Sequence, residues 1–228
     1  MDDPKIIRPE NSETNCIRCG TCCEKGGPGF HQEDRTLIDA GRISSRCLFT
    51  IRQGELAYDN VRGGLMPGDS DIIKIKGKAA TWTCIFFDEP SKQCTIYDDR
   101  PRECRTLKCW DTRELAKMYA RRRLTREDLI SEVEGLWDLI AGHQKRCDYA
   151  KIQKLIKDLE GSPKNNARRE LAEIIKYDIE IRELVVSKGG MDPEMLDFLF
   201  GRPLTKTLPN YGIKIRQDGE KTVITRSS

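Results

Sequence analysis

Four cysteines in eight positions, Cys16-Ile17-Arg18-Cys19-Gly20-Thr21-Cys22-Cys23, constrain this chain more than any other stretch of it. With only two histidines in 228 residues, so dense a group of thiols points to a soft metal held by sulfur. Cys16, Cys19 and Cys22 are spaced by three. That spacing lets a loop turn successive thiolates and amides toward one point, as in the opening of the bacterial ferredoxin run. A C-x2-C pair is also the usual half of a structural zinc site. Gly20 suits the tight turn between ligands. Cys23 is less determined, because neighbouring side chains diverge. It serves a second centre or is a buried thiol.

A second group follows as C-x9-C-x9-C-x4-C: Cys84, Cys94, Cys104 and Cys109. Four and four is the count for centres held entirely by sulfur. The segment around it predicts elements able to gather distant ligands. Ile73 and Ile75 alternate with lysines, Thr81–Phe87 is aromatic and β-branched, Asp88-Glu89-Pro90-Ser91 turns, and Cys94-Thr95-Ile96-Tyr97 returns. Asp99-Arg100-Pro101 reads as a helix start that carries Cys104. Cations crowd this end, and Arg100 and Arg105 are the candidates to offset the negative charge of a thiolate centre. The other reading of these arginines is solvated surface. Cys47 and Cys147 fall outside both groups and are not assigned as ligands. His31 and His143 read as structural or exposed.

Composition decides between metal and disulfides. The chain is 34% charged and 37% hydrophobic, with a net charge of +3. That charge is too small to argue nucleic-acid binding in bulk. The polar start, Met1-Asp2-Asp3-Pro4-Lys5, lacks a signal-peptide core. No run approaches the ~18–20 apolar residues of a membrane span. The expectation is a cytoplasmic protein. In a reducing cytosol dense cysteines mean ligation rather than cystines, and a bridge between Cys22 and Cys23 would be strained.

After residue 111 the character turns helical. Residues 113–123 form a basic helical stretch. Thr125 and Asp128 form a capping box ahead of Leu129, Val133, Leu136, Trp137 and Ile140 at helical spacing. Ile152, Leu155, Ile156 and Leu159 repeat the helical pattern up to Gly161, a longer helix over residues 166–187 is stopped by Gly189-Gly190, and a short one begins at Asp192-Pro193. The tail alternates around Asp218-Gly219, a hairpin signal. The class is therefore α+β. A cysteine-rich metal-binding domain with a small antiparallel sheet (residues 1–112) is followed by a helical region with a C-terminal β-hairpin (residues 113–228), which can pack as one unit with the first.

Cys16-Ile17-Arg18-Cys19-Gly20-Thr21-Cys22-Cys23, Cys84 followed by Phe86, and Cys94-Thr95-Ile96-Tyr97 leading into Arg100-Pro101-Arg102-Glu103-Cys104-Arg105 resemble the YkgJ-like cysteine-cluster family. The resemblance covers roughly residues 16–110. It implies a zinc- or iron-chelating domain with a C-x2-C-x2-C-C signature, in which Cys109 takes the place of a further cysteine after the Cys-Arg pair. It carries metal binding far better than activity. Three functions follow as expectations. The preferred one is an iron–sulfur protein with a redox or electron-transfer role on a protein partner. The second is a zinc-stapled interaction module. The third is a metal-dependent enzyme that modifies protein or nucleic acid. The C-x3-C-x2-C spacing of radical-SAM centres is absent. Arg121-Arg122-Arg123 beside Tyr119 offers weak support for nucleic acid, against the alternative of a helix C-terminus that favours cations.

Overall fold

A computed structural model describes residues 16–59, 62–79, 81–161, 165–218 and 221–226. The first half carries little regular structure. Its elements are α1 (Thr21–Glu24), α2 (Arg35–Asp39), β1 (Leu48–Ile51), β2 (Leu56–Asp59), β3 (Gly64–Pro67), β4 (Ile72–Ile75), β5 (Phe87–Asp88), β6 (Gln93–Cys94) and α3 (Arg102–Thr106). The second half holds α4 (Arg113–Met118), α5 (Arg126–Ile130), α6 (Leu136–Arg146), α7 (Tyr149–Gly161), α8 (Asn165–Ser187), α9 (Leu196–Leu199), α10 (Leu204–Thr207), β7 (Ile213–Asp218) and β8 (Lys221–Arg226). Every sheet is a two-stranded antiparallel pair: β1 with β4, β2 with β3, β5 with β6, and β7 with β8. This is the α+β class with a small sheet, helices and a terminal hairpin.

β1 was not evident from alternation because all four of its residues are buried. A strand covered on both faces reads as a continuous apolar run. Leu48 faces Ile75 and Thr50 faces Ile73 across the pair. The Thr50 hydroxyl donates to the Phe198 carbonyl at 2.7 Å and ties β1 to α9. The first core gathers Phe30, Leu48, Ile73, Leu124, Ile140 and Phe198, so it draws residues from either side of position 112. The second packs α7 and α8 against the terminal hairpin through Tyr149, Ile152, Leu171, Ile175, Ile213 and Ile224.

Three sequence expectations are corrected. The strand expected through Thr81–Phe87 shrinks to Phe87–Asp88. The backbone before it bonds elsewhere: Cys84 N–H donates to the Cys23 carbonyl at 2.8 Å, and Ile85 N–H to Lys76 at 3.1 Å. The basic helix expected to residue 123 stops at Met118, and Arg122 adopts a left-handed φ of 51°. The helical pattern from Leu129 to Ile140 is broken at Gly135 (φ 71°), which starts α6 anew. The capping box is as expected: Thr125 accepts from Asp128 N–H, and Asp128 accepts in return from Thr125 N–H at 2.8 Å.

A buried polar tie joins the halves. Glu103 on α3 accepts from Gly29 N–H at 2.6 Å and from His31 Nε2 at 3.2 Å. His31 Nδ1 lies 2.8 Å from the Arg121 carbonyl. Both ring nitrogens therefore face oxygen atoms, which fixes the plane of the ring.

Gly20 anchors the cysteine loop to this frame. It caps α1 with a φ of 83°, and a Cβ there would collide with the Phe87 ring. Gly20→Ala is expected to destabilise the protein by about 2–4 kcal/mol, combining left-handed strain with overpacking. The urea-unfolding midpoint checks this; an unchanged midpoint would show that the loop does not dock on Phe87.

Candidate metal centre

Four separate segments bring thiols together. Cys22 and Cys23 ride on α1, which Gly20 starts over the Phe87 ring. Cys84 is held to α1 by its bond to the Cys23 carbonyl and bridges to Gly77. Cys94 sits on β6, opposite Phe87 on β5. Cys104 lies on α3, whose start is fixed by Arg102 N–H donating to Asp34 Oδ1 at 2.8 Å. The hairpin and the helix thus place Cys94 and Cys104 as anticipated, although the hairpin is shorter.

The electrostatics show that these five sulfurs feel one another. Burial pushes the Cys104 thiol well above its ordinary range, and negative charge on Cys84, Cys22 and Cys94 adds to the shift. Burial also raises Cys84, with Cys94 and Cys22 contributing and the Phe86 backbone and Lys78 opposing. Cys22 and Cys23 have sulfurs 4.0 Å apart. The hydrogen bond between them moves the pair in opposite directions, lowering Cys22, with Arg100 helping, and raising Cys23. Thiols that oppose one another's ionisation are those a thiophilic cation stabilises most, because it replaces mutual repulsion with attraction. By donor type the sulfurs suit zinc or iron, while among the described residues no three of them lie within 4.8 Å of one another.

Cys16, Cys19 and Cys109 are exposed, as is Cys22. Cys16 and Cys19 lie in the loop before α1, and the Cys19 thiol donates to Thr21 Oγ1 at 3.3 Å. Cys109 follows α3 in the turn closed by Lys108 and Asp111. All ten cysteines are free thiols. Of the two arginines singled out in the sequence, Arg100 lies over the Tyr97 ring at 3.5 Å and acts on Cys22. Arg105 turns to Asp34 at 3.6 Å. Arg18 was not singled out, yet it lies over the same Tyr97 ring at 4.2 Å. Arg122 and Arg123 face Glu33 and Glu103 at 3.0 and 3.9 Å, so neither extends as an unpaired cation.

The chain matches the profile of a family named CxxCxxCC, described as a zinc- or iron-chelating domain, over residues 15–128, half its length. It belongs to this family. The matched span takes in the signature cysteines, the hairpin and α3, so every thiol of the convergent group lies inside it. No curated protein and no solved structure is significantly similar to the chain.

Beyond the family domain lies a group that sequence reasoning passed over. Among the described residues, one set of three potential ligand atoms falls within 4.8 Å of one another: His143, Cys147 and Asp178, all buried. The only sequence signal was the i,i+4 spacing of His143 and Cys147. The carboxylate is already fully engaged. Asp178 Oδ1 accepts from His143 Nε2 at 2.7 Å and Arg182 Nε at 3.0 Å, and Oδ2 accepts from Leu204 N–H at 2.8 Å. Arg52 donates to the Cys147 carbonyl at 3.2 Å. A cation would have to displace these donors and sit beside two guanidiniums, so the arrangement reads as a polar tie across the core.

That tie makes stability depend on pH. Burial pushes His143 down from 6.5 to about 4, against the pull of Asp178, while Asp178 itself is held at about 2, chiefly by the His143 bond and Arg182 acting against its burial. Between about 4 and 6.5 the unfolded chain takes up a proton at His143 that the folded one refuses. Stability therefore falls as pH drops through that window, by an order of magnitude of about 3 kcal/mol. Loss of the Asp178 carboxylate adds to this below 3.8. Urea unfolding across the window should show the slope flattened in His143→Gln; an identical slope in both proteins would refute the assignment.

Proposed function

We propose that the chain is an iron–sulfur protein whose centre is held entirely by cysteine, with a redox or electron-transfer role toward a protein partner. The observation that carries this is the approach of Cys22, Cys23, Cys84, Cys94 and Cys104 to one region from four segments. Five sulfurs in one region exceed the four that close one structural zinc site, and they suit a centre of several irons. Cys16, Cys19 and Cys109, all exposed, complete the proposed set of eight. Arg100 would offset negative charge beside Cys22. Iron bound by thiolates supplies one-electron transfer, with a potential tuned by nearby charge and burial. The protein's own part is to gather the sulfurs and to place cations beside them. An all-thiol centre needs reduced sulfurs, which fits a cytoplasmic setting. Among the described residues no helix is long and apolar enough to cross a membrane.

A zinc-stapled module is the second reading. It is favoured by the thinness of the structure around the thiols, where β5 and β6 pair over only two residues each. Ligation would then supply the folding energy that the sheet cannot.

Anaerobic purification separates the two. The iron–sulfur reading expects a brown protein with iron, acid-labile sulfide and broad absorption near roughly 400 nm. A colourless protein with stoichiometric zinc would overturn it in favour of the staple. In either case Cys104→Ser should lose bound metal and unfold at lower denaturant, while Cys47→Ser should retain its metal. Equal metal loss in both variants would show that the ligand set is wrongly drawn.

A further inference from the structure

The loop that carries the two outermost cysteines is held by an unusual contact. Arg18 stands between Cys16 and Cys19 and has a left-handed φ of 55°, one of three non-glycine residues with positive φ among the described residues. A non-glycine residue there stores strain that the surroundings must offset, and such residues concentrate at ligand clamps and switches. Its guanidinium carbon lies 4.2 Å from the centroid of the Tyr97 ring. Tyr97 stands between Cys94 and Cys104 in sequence, on the stretch that joins β6 to α3. A second guanidinium, from Arg100, lies over the same ring at 3.5 Å, and its Nε donates to the Tyr97 carbonyl at 2.7 Å.

Two cations on one ring repel each other. Here the Arg100 guanidinium is fixed by its bond to the Tyr97 carbonyl, so the one ring holds both cations in place. The contact also joins the exposed loop of Cys16 and Cys19 to the segment that presents Cys94 and Cys104. On its other side the loop is tied by Gly20 against Phe87. Arg18 is thus the side chain that fixes the loop ahead of that hinge.

We propose that Arg18, Tyr97 and Arg100 form a cation–π latch that closes the Cys16–Cys19 loop over the inner thiols and sets how fast metal leaves the centre. The inference rests on the reading that these cysteines hold metal. Closed, the latch keeps the outer thiolates on the metal. Open, it frees the loop and exposes one side of the centre to a competing thiol or chelator. Arg18 and Tyr97 are positioning residues: they lie on the segments that carry Cys16, Cys19, Cys94 and Cys104 and act on the metal only through them.

Release of the resident metal from anaerobically purified protein, followed with a chromogenic chelator in excess, tests this. Arg18→Gln removes one exposed stack and should speed release roughly two- to fivefold, and Tyr97→Leu removes both stacks and should speed it roughly five- to thirtyfold. Tyr97→Phe keeps the ring and should release at the wild-type rate. Initial metal content should be equal in all four proteins, which separates a latch from a general loss of folding. Wild-type rates in both Arg18→Gln and Tyr97→Leu would overturn the latch while leaving the metal centre standing. Equal acceleration in Tyr97→Leu and Tyr97→Phe would assign the effect to the hydroxyl and also overturn it. Wild-type protein that carries no metal would instead sink the metal-centre reading itself.

Discussion

The gathering of thiols from four segments is the constraint on which the rest of this molecule turns. Cys22, Cys23, Cys84, Cys94 and Cys104 come from those segments, and burial, with neighbouring sulfurs adding to it, pushes Cys84 and Cys104 up so that they favour the neutral thiol. A bound cation displaces those protons and turns the gathered sulfurs into a stabilising centre. The sparse structure of the first half fits this logic. Two-residue strands and helices of four or five residues cannot hold a fold by hydrogen bonding alone. They are enough where their task is to aim sulfur.

Two buried polar ties give this weak half a firm frame. Glu103, the neighbour of Cys104, is locked by Gly29 and His31, and His31 is locked in turn by the Arg121 carbonyl. The helix that presents Cys104 is thereby fixed to the segment leading into α5. Farther away, Asp178 holds His143, Arg182 and the start of α10. A buried carboxylate satisfied on both oxygens is costly to disturb, since removing one donor leaves a charge unpaired. Both ties lie across long sequence separations. They act as crossbeams between elements, alongside ties such as Arg102 N–H to Asp34.

Legibility followed interaction range. The helices of the second half were readable because their apolar spacing, the Thr125–Asp128 box and the glycine stops are local signals. Gly135 was underweighted as a break because the apolar pattern continues through it. β1 escaped notice because burial on both faces removes alternation. The strand through Cys84 was overextended because its β-branched residues signal β propensity, while its backbone partners lie in Cys23 and Lys76. Arg18 carried no signal as a ring partner, since nothing local joins it to a tyrosine 79 positions on.

By itself the sequence determined the chemistry: ten thiols, few imidazoles, a C-x2-C-x2-C-C run and an α+β pattern together imply a soft-metal domain. Residue type and near spacing are local properties, and ligand preference depends on little else. Only the tertiary structure decided which thiols meet. It brought Cys22, Cys23, Cys84, Cys94 and Cys104 into one region from four segments, set Cys47 and Cys147 apart, turned Arg105 toward Asp34 and brought Arg18 and Arg100 to one ring. Proximity between distant residues is a property of the packed chain, because it depends on how the cores and the buried carboxylates fix the segments against one another.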